Sequence, residues 1–313
     1  MRVAITGGTG FVGRHLAQRL VADGHDVTVV CRPRVQAPRS PGLVFAAADI
    51  GDERALRRAF DGAEAVVHCA GINREIGRQT YRAVHVDGTA AVVAAARTAG
   101  VRRLIVLSFL RARADGPGSY HRSKWAAEEI VRASGLDHTV VKAGVIHGAG
   151  DHMLDHVSRA FDTFPVFGLV GLTERPVRPV AVADVVRVLG AAAVGDPRLR
   201  NRTIVALGPE ELTLEAALRR IAEVRGRKPR FIRLPVVAHR LLSLAWEAAM
   251  VVPLVSRAQV EILAEGVVEP LPFADEPPPD LRPTTPFTAS AIAAGLPPRG
   301  GFGRSDLRLC ARG

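Results

Sequence analysis

Thr6-Gly-Gly-Thr-Gly10-Phe-Val-Gly13 follows the apolar run Arg2–Thr6 and opens Phe11–Ala22, where Val12, Leu16 and Leu20 recur at helical spacing. The glycines satisfy G-x-G-x-x-G from Gly8 and G-x-x-G-x-x-G from Gly7. A plain tight turn would also use glycine. Set between a first strand and a first helix, however, the spacing predicts a loop whose backbone closely approaches a pyrophosphate, with free helix N–H groups facing the anion. The residues expected to touch a dinucleotide there are Thr6, Gly7, Gly8, Thr9, Gly10, Phe11, Val12 and Gly13.

Outward from this loop, strand patterns fall at Asp26–Cys31, Leu43–Ala48, Ala65–Cys69, Arg102–Ser108 and His138–Ala143. Helical patterns lie between them at Glu53–Phe60, Thr80–Ala99 and Tyr120–Ala133. Apolar strands that alternate with helices predict an α/β fold, a doubly wound parallel sheet with its ligand site along the carboxyl ends of the strands. At the end of the second strand, where a carboxylate would bind a ribose 2′-hydroxyl, stand Arg32 and Arg34. Two guanidinium groups suit a 2′-phosphate, so NADP(H) is favoured over NAD(H). Asp49 and Ile50 end the third strand near the expected adenine. Cys69, Ala70 and Gly71 end the fourth with small residues that let the backbone pass close to the cofactor.

The rhythm changes after Gly150. A strand at Val177–Val182, a helix at Ala183–Ala193 and a strand at Thr203–Leu207 read as additions to the main sheet. Helices follow at Leu214–Val224, Val236–Val252 and Arg257–Ala264, the last opened by the capping box Ser256-Arg-Ala-Gln259. Seven prolines between Pro270 and Pro286 predict an extended wrap. The expected organisation is a dinucleotide-binding domain over 1–148, completed by 177–208. A smaller, mostly helical substrate or partner domain takes 149–176 and 209–296, and 297–313 forms a flexible tail.

Tyr120-His-Arg-Ser-Lys124 places a phenol and an ammonium four residues apart, on one face of a helix. A lysine beside a tyrosine lowers the phenol's pKa, which makes Tyr120 a candidate acid/base for carbonyl–alcohol interconversion, with Lys124 also able to hold a ribose. Thr6–Gly13, Asp49, His68-Cys-Ala-Gly71, Tyr120-x-x-x-Lys124 and Val180-Ala-Val-Ala-Asp184 resemble, in this order, the extended and atypical short-chain dehydrogenases/reductases. Leu107-Ser-Phe-Leu-Arg-Ala112, Tyr120–Glu128 and Arg282-Pro-Thr-Thr-Pro-Phe287 are most similar to the branch that holds the NADPH-binding accessory subunit of respiratory complex I and its bacterial relatives. The resemblance implies either an oxidoreductase, epimerase or dehydratase working on a small substrate through Tyr120 and Lys124, or a non-catalytic NADPH-binding subunit of a protein complex. Where the enzymes carry a catalytic Ser or Thr, this chain has Leu110. Ser108 is the nearest substitute, and the family's usual Asn and Pro are His85 and Ala143.

Composition narrows the remaining classes. The 313 residues carry a formal charge of +11, yet only three lysines, and the arginines are scattered rather than interleaved with aromatics, so no nucleic-acid partner is expected. No run of 18 residues is free of charge, which argues against a membrane span. The three cysteines, Cys31, Cys69 and Cys310, have no metal or redox spacing; free thiols in a cytoplasmic protein without a signal peptide are expected. His152 and His156 have chelating spacing, but the Glu of H-E-x-x-H is missing, so no metal is expected and a polar cleft lining or a surface helix is preferred. Val236–Val255 reads as a buried substrate-domain helix, with a membrane-surface or partner-docking helix as the alternative.

Overall fold

The computed structural model describes residues 1–32, 42–270, 272, 274–303 and 306–307. Arg34 and Cys310 lie outside the described residues. The chain forms two compact units. The first takes Met1–Ala143, Val182–Ala206 and Glu269–Pro283; the second takes Gly144–Ala181, Leu207–Val268 and Thr284–Gly313.

The first unit is built on seven parallel strands: β1 (Arg2–Thr6), β2 (Asp26–Cys31), β3 (Leu43–Ala47), β4 (Ala65–His68), β5 (Arg103–Phe109), β6 (Asp137–Ala143) and β7 (Arg202–Ala206). Their order is β3-β2-β1-β4-β5-β6-β7. The chain reverses its direction of sheet growth between β1 and β4, the place where a doubly wound sheet opens a crevice. Burial accounts for the apolar, non-alternating strands: Val3 to Thr6 and Ala65 to His68 are all buried because helices cover both faces. One face is covered by α1 (Phe11–Ala22) and α5 (Val182–Val194). The other is covered by α2 (Glu53–Ala59), α3 (Gly88–Thr98, preceded by a π-helical turn over Arg82–Asp87) and α4 (Ser119–Arg132). Leu56, Phe60, Val92, Leu104, Val131 and Val140 fill the layer between the sheet and α2, α3 and α4.

Three differences from the sequence reading have local causes. The expected strand Val177–Val182 does not join the main sheet. Pro176–Val177 pairs antiparallel with Leu212–Thr213, and Val180–Ala181 pairs parallel with Ile146–His147. Pro179, which lacks an N–H, stands between these two-residue strands, so one ladder cannot run through them. Val166–Val170 and Arg230–Leu234, not expected as strands, form a parallel pair in the second unit. The helix expected over Val236–Val252 stops at Ala249, where Met250 turns extended three residues before Pro253, a usual distance between a helix end and the proline beyond it.

The proline-rich stretch returns to the first unit, where Asp275 and β7 exchange Val205 N–H to Asp275 O at 2.9 Å and Asp275 N–H to Thr203 O at 2.8 Å. The tail expected to be flexible is tied down over its described part. Arg225 donates to the carbonyls of Pro297 and Pro298, Gly300 N–H donates to Asp162, and Arg159 pairs with Asp306 at 2.8 Å. The capping box at Ser256 and Gln259 forms as the sequence predicts.

Gly13 is fixed by sterics. A Cβ there would overlap the Gly7 carbonyl oxygen and come within 2.7 Å of Gly8 Cα, both rigid backbone. Gly13→Ala is expected to lower stability by about 1–3 kcal/mol, the usual range for overpacking. A shifted denaturant midpoint checks this; an unchanged midpoint contradicts the crowding.

Candidate active site

The glycine loop is shaped by backbone contacts alone. Gly7 adopts φ +69°, and a Cβ on it would come 2.7 Å from the N and Cα of Ala70, just beyond β4. A Cβ on Gly8 would press on Val29 of β2, whereas one on Gly10 would meet only the Gly7 oxygen, at 3.1 Å. Gly10 N-caps α1 without a side-chain hydrogen bond, and no acidic residue stands in the first turn. An uncapped, uncharged helix start beneath an exposed Gly10 is the donor set a pyrophosphate needs. The residues present therefore fit a dinucleotide.

The other predicted cofactor contacts lie at the carboxyl ends of neighbouring strands. Arg32 is exposed just past β2, and no carboxylate occurs in the sequence from Cys31 to residue 41. Asp49 is exposed past β3 and accepts from Gly51 N–H at 3.1 Å. Ile50 packs against Gly88, where a Cβ would lie 3.0 Å from it. Beyond β4, burial pushes the Cys69 thiol up to about 12, so it stays neutral. A Cβ on Gly71 would sit 3.7 Å from Lys124 Nζ and 3.5 Å from His85 Nε2. The small residues Cys69, Ala70 and Gly71 thus lie between the glycine loop and Lys124 on the Tyr120 helix.

Two histidines that the sequence reading did not assign to the site anchor this corner. Thr89 can give its hydroxyl proton only to the His85 carbonyl, at 2.5 Å, so it accepts from His68 Nε2–H at 3.0 Å. His68 Nδ1 in turn accepts from the Thr6 hydroxyl at 2.7 Å. His85 Nε2 accepts from Ile72 N–H at 3.1 Å; its Nδ1–H therefore donates to Ser123 Oγ at 2.9 Å, and Ser123 donates to the Tyr120 carbonyl. Both rings are neutral, with opposite tautomers. Burial holds His68 down to about 3 and His85 to about 2, with the Lys124 charge adding to each. The π-helical turn carries His85 under the site. The signal in the sequence was a histidine closing an otherwise apolar strand, a costly placement unless both nitrogens are satisfied.

Tyr120 and Lys124 share one face of α4. The Tyr120 ring is buried among Tyr81, His85 and Phe109, with centroids 5.3–5.7 Å away. Burial pushes its phenol up to about 12; the lowering expected from Lys124 does not appear. Lys124 instead donates to the Leu107 carbonyl at 2.9 Å, and its own pKa is lowered to about 8 by burial, against the opposing pull of Glu128 and Cys69. Ser108 is not brought to Tyr120. Its hydroxyl donates to Glu128 Oε1 at 2.5 Å, one turn along α4 from Lys124. Glu128 is fully buried and also holds Lys142 at 3.3 Å and Arg132 at 2.7 Å. Ser108, expected as a catalytic helper, has its hydroxyl on Glu128 within this buried ion cluster. Leu110 is fully buried and offers no hydroxyl. Asp151 caps the helix that carries His152 and His156, His156 donates to the Leu254 carbonyl at 2.8 Å, and no group of three metal-ligating side chains occurs among the described residues.

A protein-family model described as NAD(P)H-binding matches residues 7–160. Ceramide reductase of Caulobacter vibrioides is 35% identical over 241 residues, covering 74% of this chain and 73% of that protein. The chain belongs to the NAD(P)H-binding, atypical short-chain dehydrogenases/reductases. The mitochondrial NADH dehydrogenase [ubiquinone] 1 alpha subcomplex subunit 9 of Arabidopsis thaliana is 26% identical over 242 residues, which are 74% of this chain and 60% of that protein. In fold, a nucleoside-diphosphate-sugar epimerase from Staphylococcus aureus superposes over 94% of this chain and 99% of its own with a TM-score of 0.70, at 14% identity.

The neutral histidines set a pH dependence. Both have folded pKa values below the ordinary 6.5, so the unfolded chain takes up protons that the folded chain refuses. Stability is complete above about pH 6.5 and falls as the pH drops toward 3. Melting temperature against pH should show this decline, and His85→Asn should flatten it; a flat wild-type profile from pH 7 to 4 contradicts the neutral pair.

Proposed function

We propose that the protein is an NADP(H)-dependent reductase that converts a ketone to a secondary alcohol. The observation that carries this reading is the unbroken line from Gly7 against Ala70, through Gly71, to Lys124 and Tyr120 on one helix face. Reduced nicotinamide supplies the hydride when bound. The Tyr120 hydroxyl gives its proton to the carbonyl oxygen, and a phenol held near 12 by burial is protonated across the working range, as an acid must be. Lys124, whose Nζ lies next to Gly71, would hold the nicotinamide ribose. Arg32 supports the phosphorylated cofactor. The similarity to ceramide reductase makes lipid-like ketones the first substrate class to test.

A second reading, a non-catalytic NADPH-binding subunit, draws on Leu110 and on the commitment of Ser108 to Glu128, which remove the family's second donor to the substrate oxygen. The Arabidopsis relative supports it.

Calorimetry should find NADPH bound at least about tenfold more tightly than NADH, roughly 1.4 kcal/mol. Equal affinities contradict the role of Arg32. Gly10→Val should abolish binding of both. Tyr120→Phe should leave NADPH affinity unchanged while turnover of a ketone falls about 10²–10⁴-fold, the usual contribution of a positioned acid. Turnover that survives Tyr120→Phe removes the tyrosine from the chemistry, and NADPH binding without turnover across a broad ketone panel favours the binding subunit.

A further inference from the structure

The helix Val236–Ala249 in the second unit turns two polar side chains inward and its apolar side outward. His239 and Ser243 face inward and are buried, His239 against Gly168 of the parallel strand pair. The opposite side carries Val237, Leu241 and Leu244, which are 65%, 64% and 49% exposed at spacings of four and three residues. Leu242 and, past the helix end, Val251 and Val252 are also exposed. The strand pair extends this surface. Phe231 and Phe167 face the core, so Ile232, Arg230 and Val166, which alternate with them in register, face outward beside the helix, and Ile232 and Val166 are exposed. A concentrated exposed apolar surface marks a docking face.

We propose that this face docks on an anionic lipid bilayer. Charge selects the occupant. From Gly226 to Val252 the sequence has five Arg or Lys residues and one Glu; Arg227 and Arg233 pair with Asp162, Glu174 and Glu215, which leaves Lys228, Arg230 and Arg240 for the face. That Glu247 is held by Arg257 at 3.0 Å, while Arg240 on the helix flank and Arg230 beside Ile232 are exposed. Apolar side chains rimmed by arginine are the composition of a helix lying in the headgroup layer, where the side chains insert and the guanidinium groups meet phosphates. The helix has 14 residues, and no helix among the described residues is long and apolar enough to cross a membrane. It lies on the surface rather than through it. The assignment is independent of whether Tyr120 is catalytic.

Co-sedimentation of the full chain with mixed phosphatidylglycerol–phosphatidylcholine vesicles tests it, with pure phosphatidylcholine as the control. Wild type should partition at least about tenfold more strongly onto the anionic vesicles, less so at high salt. The double substitution Leu241→Glu, Leu244→Glu should lose this binding and Arg240→Glu should weaken it several-fold, with circular dichroism and melting temperature held. These positions point outward, so folding does not depend on them. Wild type that stays in the supernatant with both vesicle types overturns the proposal, as does equal binding by the double variant. A dimer that Leu241→Glu splits, without vesicle binding, assigns the face to a second copy instead.

Discussion

The backbone of Gly7 passes so close to that of Ala70 that a Cβ on Gly7 would come within 2.7 Å of two of its atoms, and the site's geometry follows from this approach. It brings the ends of β1 and β4 together at the point where the sheet reverses direction. It also sets the glycine loop beside the short Cys69–Gly71 segment, whose Gly71 lies next to Lys124 of α4. Beneath the contact, Thr6, His68, Thr89, His85 and Ser123 pass hydrogen bonds from β1 to the Tyr120 backbone. A fully satisfied buried network of this kind fixes one arrangement, because any slip strands a polar atom away from water. Protonating either ring would break it, and burial keeps both neutral.

The basic and acidic groups on α4 divide the work by position. Tyr120, Lys124 and Glu128 stand at successive turns on the face toward the sheet. Tyr120 and Lys124 lie at the end beside Gly71. Glu128 lies deeper, where Ser108, Lys142 and Arg132 compensate its buried charge. Removing a partner there would leave a charge without compensation, so this cluster is structural. At the same depth Ser108, the nearest hydroxyl to the Leu110 position in sequence, bonds to Glu128.

Local chemistry made the nucleotide half of the fold legible in the sequence. β1, α1 and β2 begin and end where apolar runs, helical spacing and the glycines say they do. The glycine loop was readable because each glycine answers to a steric demand within a few residues or across one strand. What the sequence hid was long-range. Ser108 meets Glu128 twenty residues later, and strand periodicity does not say which neighbour its hydroxyl faces. Val166–Val170 looks like a loop until Arg230–Leu234 arrives to pair with it. The pairing of Tyr120 with Lys124 was visible as a spacing, but its electrostatics depend on burial, which reversed the expected direction of the phenol's shift.

A crystal structure of the protein with NADPH bound tests the central claim most directly. The account predicts the pyrophosphate on the amides that open α1, Lys124 on the ribose next to Gly71, and the nicotinamide within hydride-transfer reach of a carbonyl hydrogen-bonded to Tyr120. A nicotinamide turned away from α4, with Lys124 still on the Leu107 carbonyl, would contradict it.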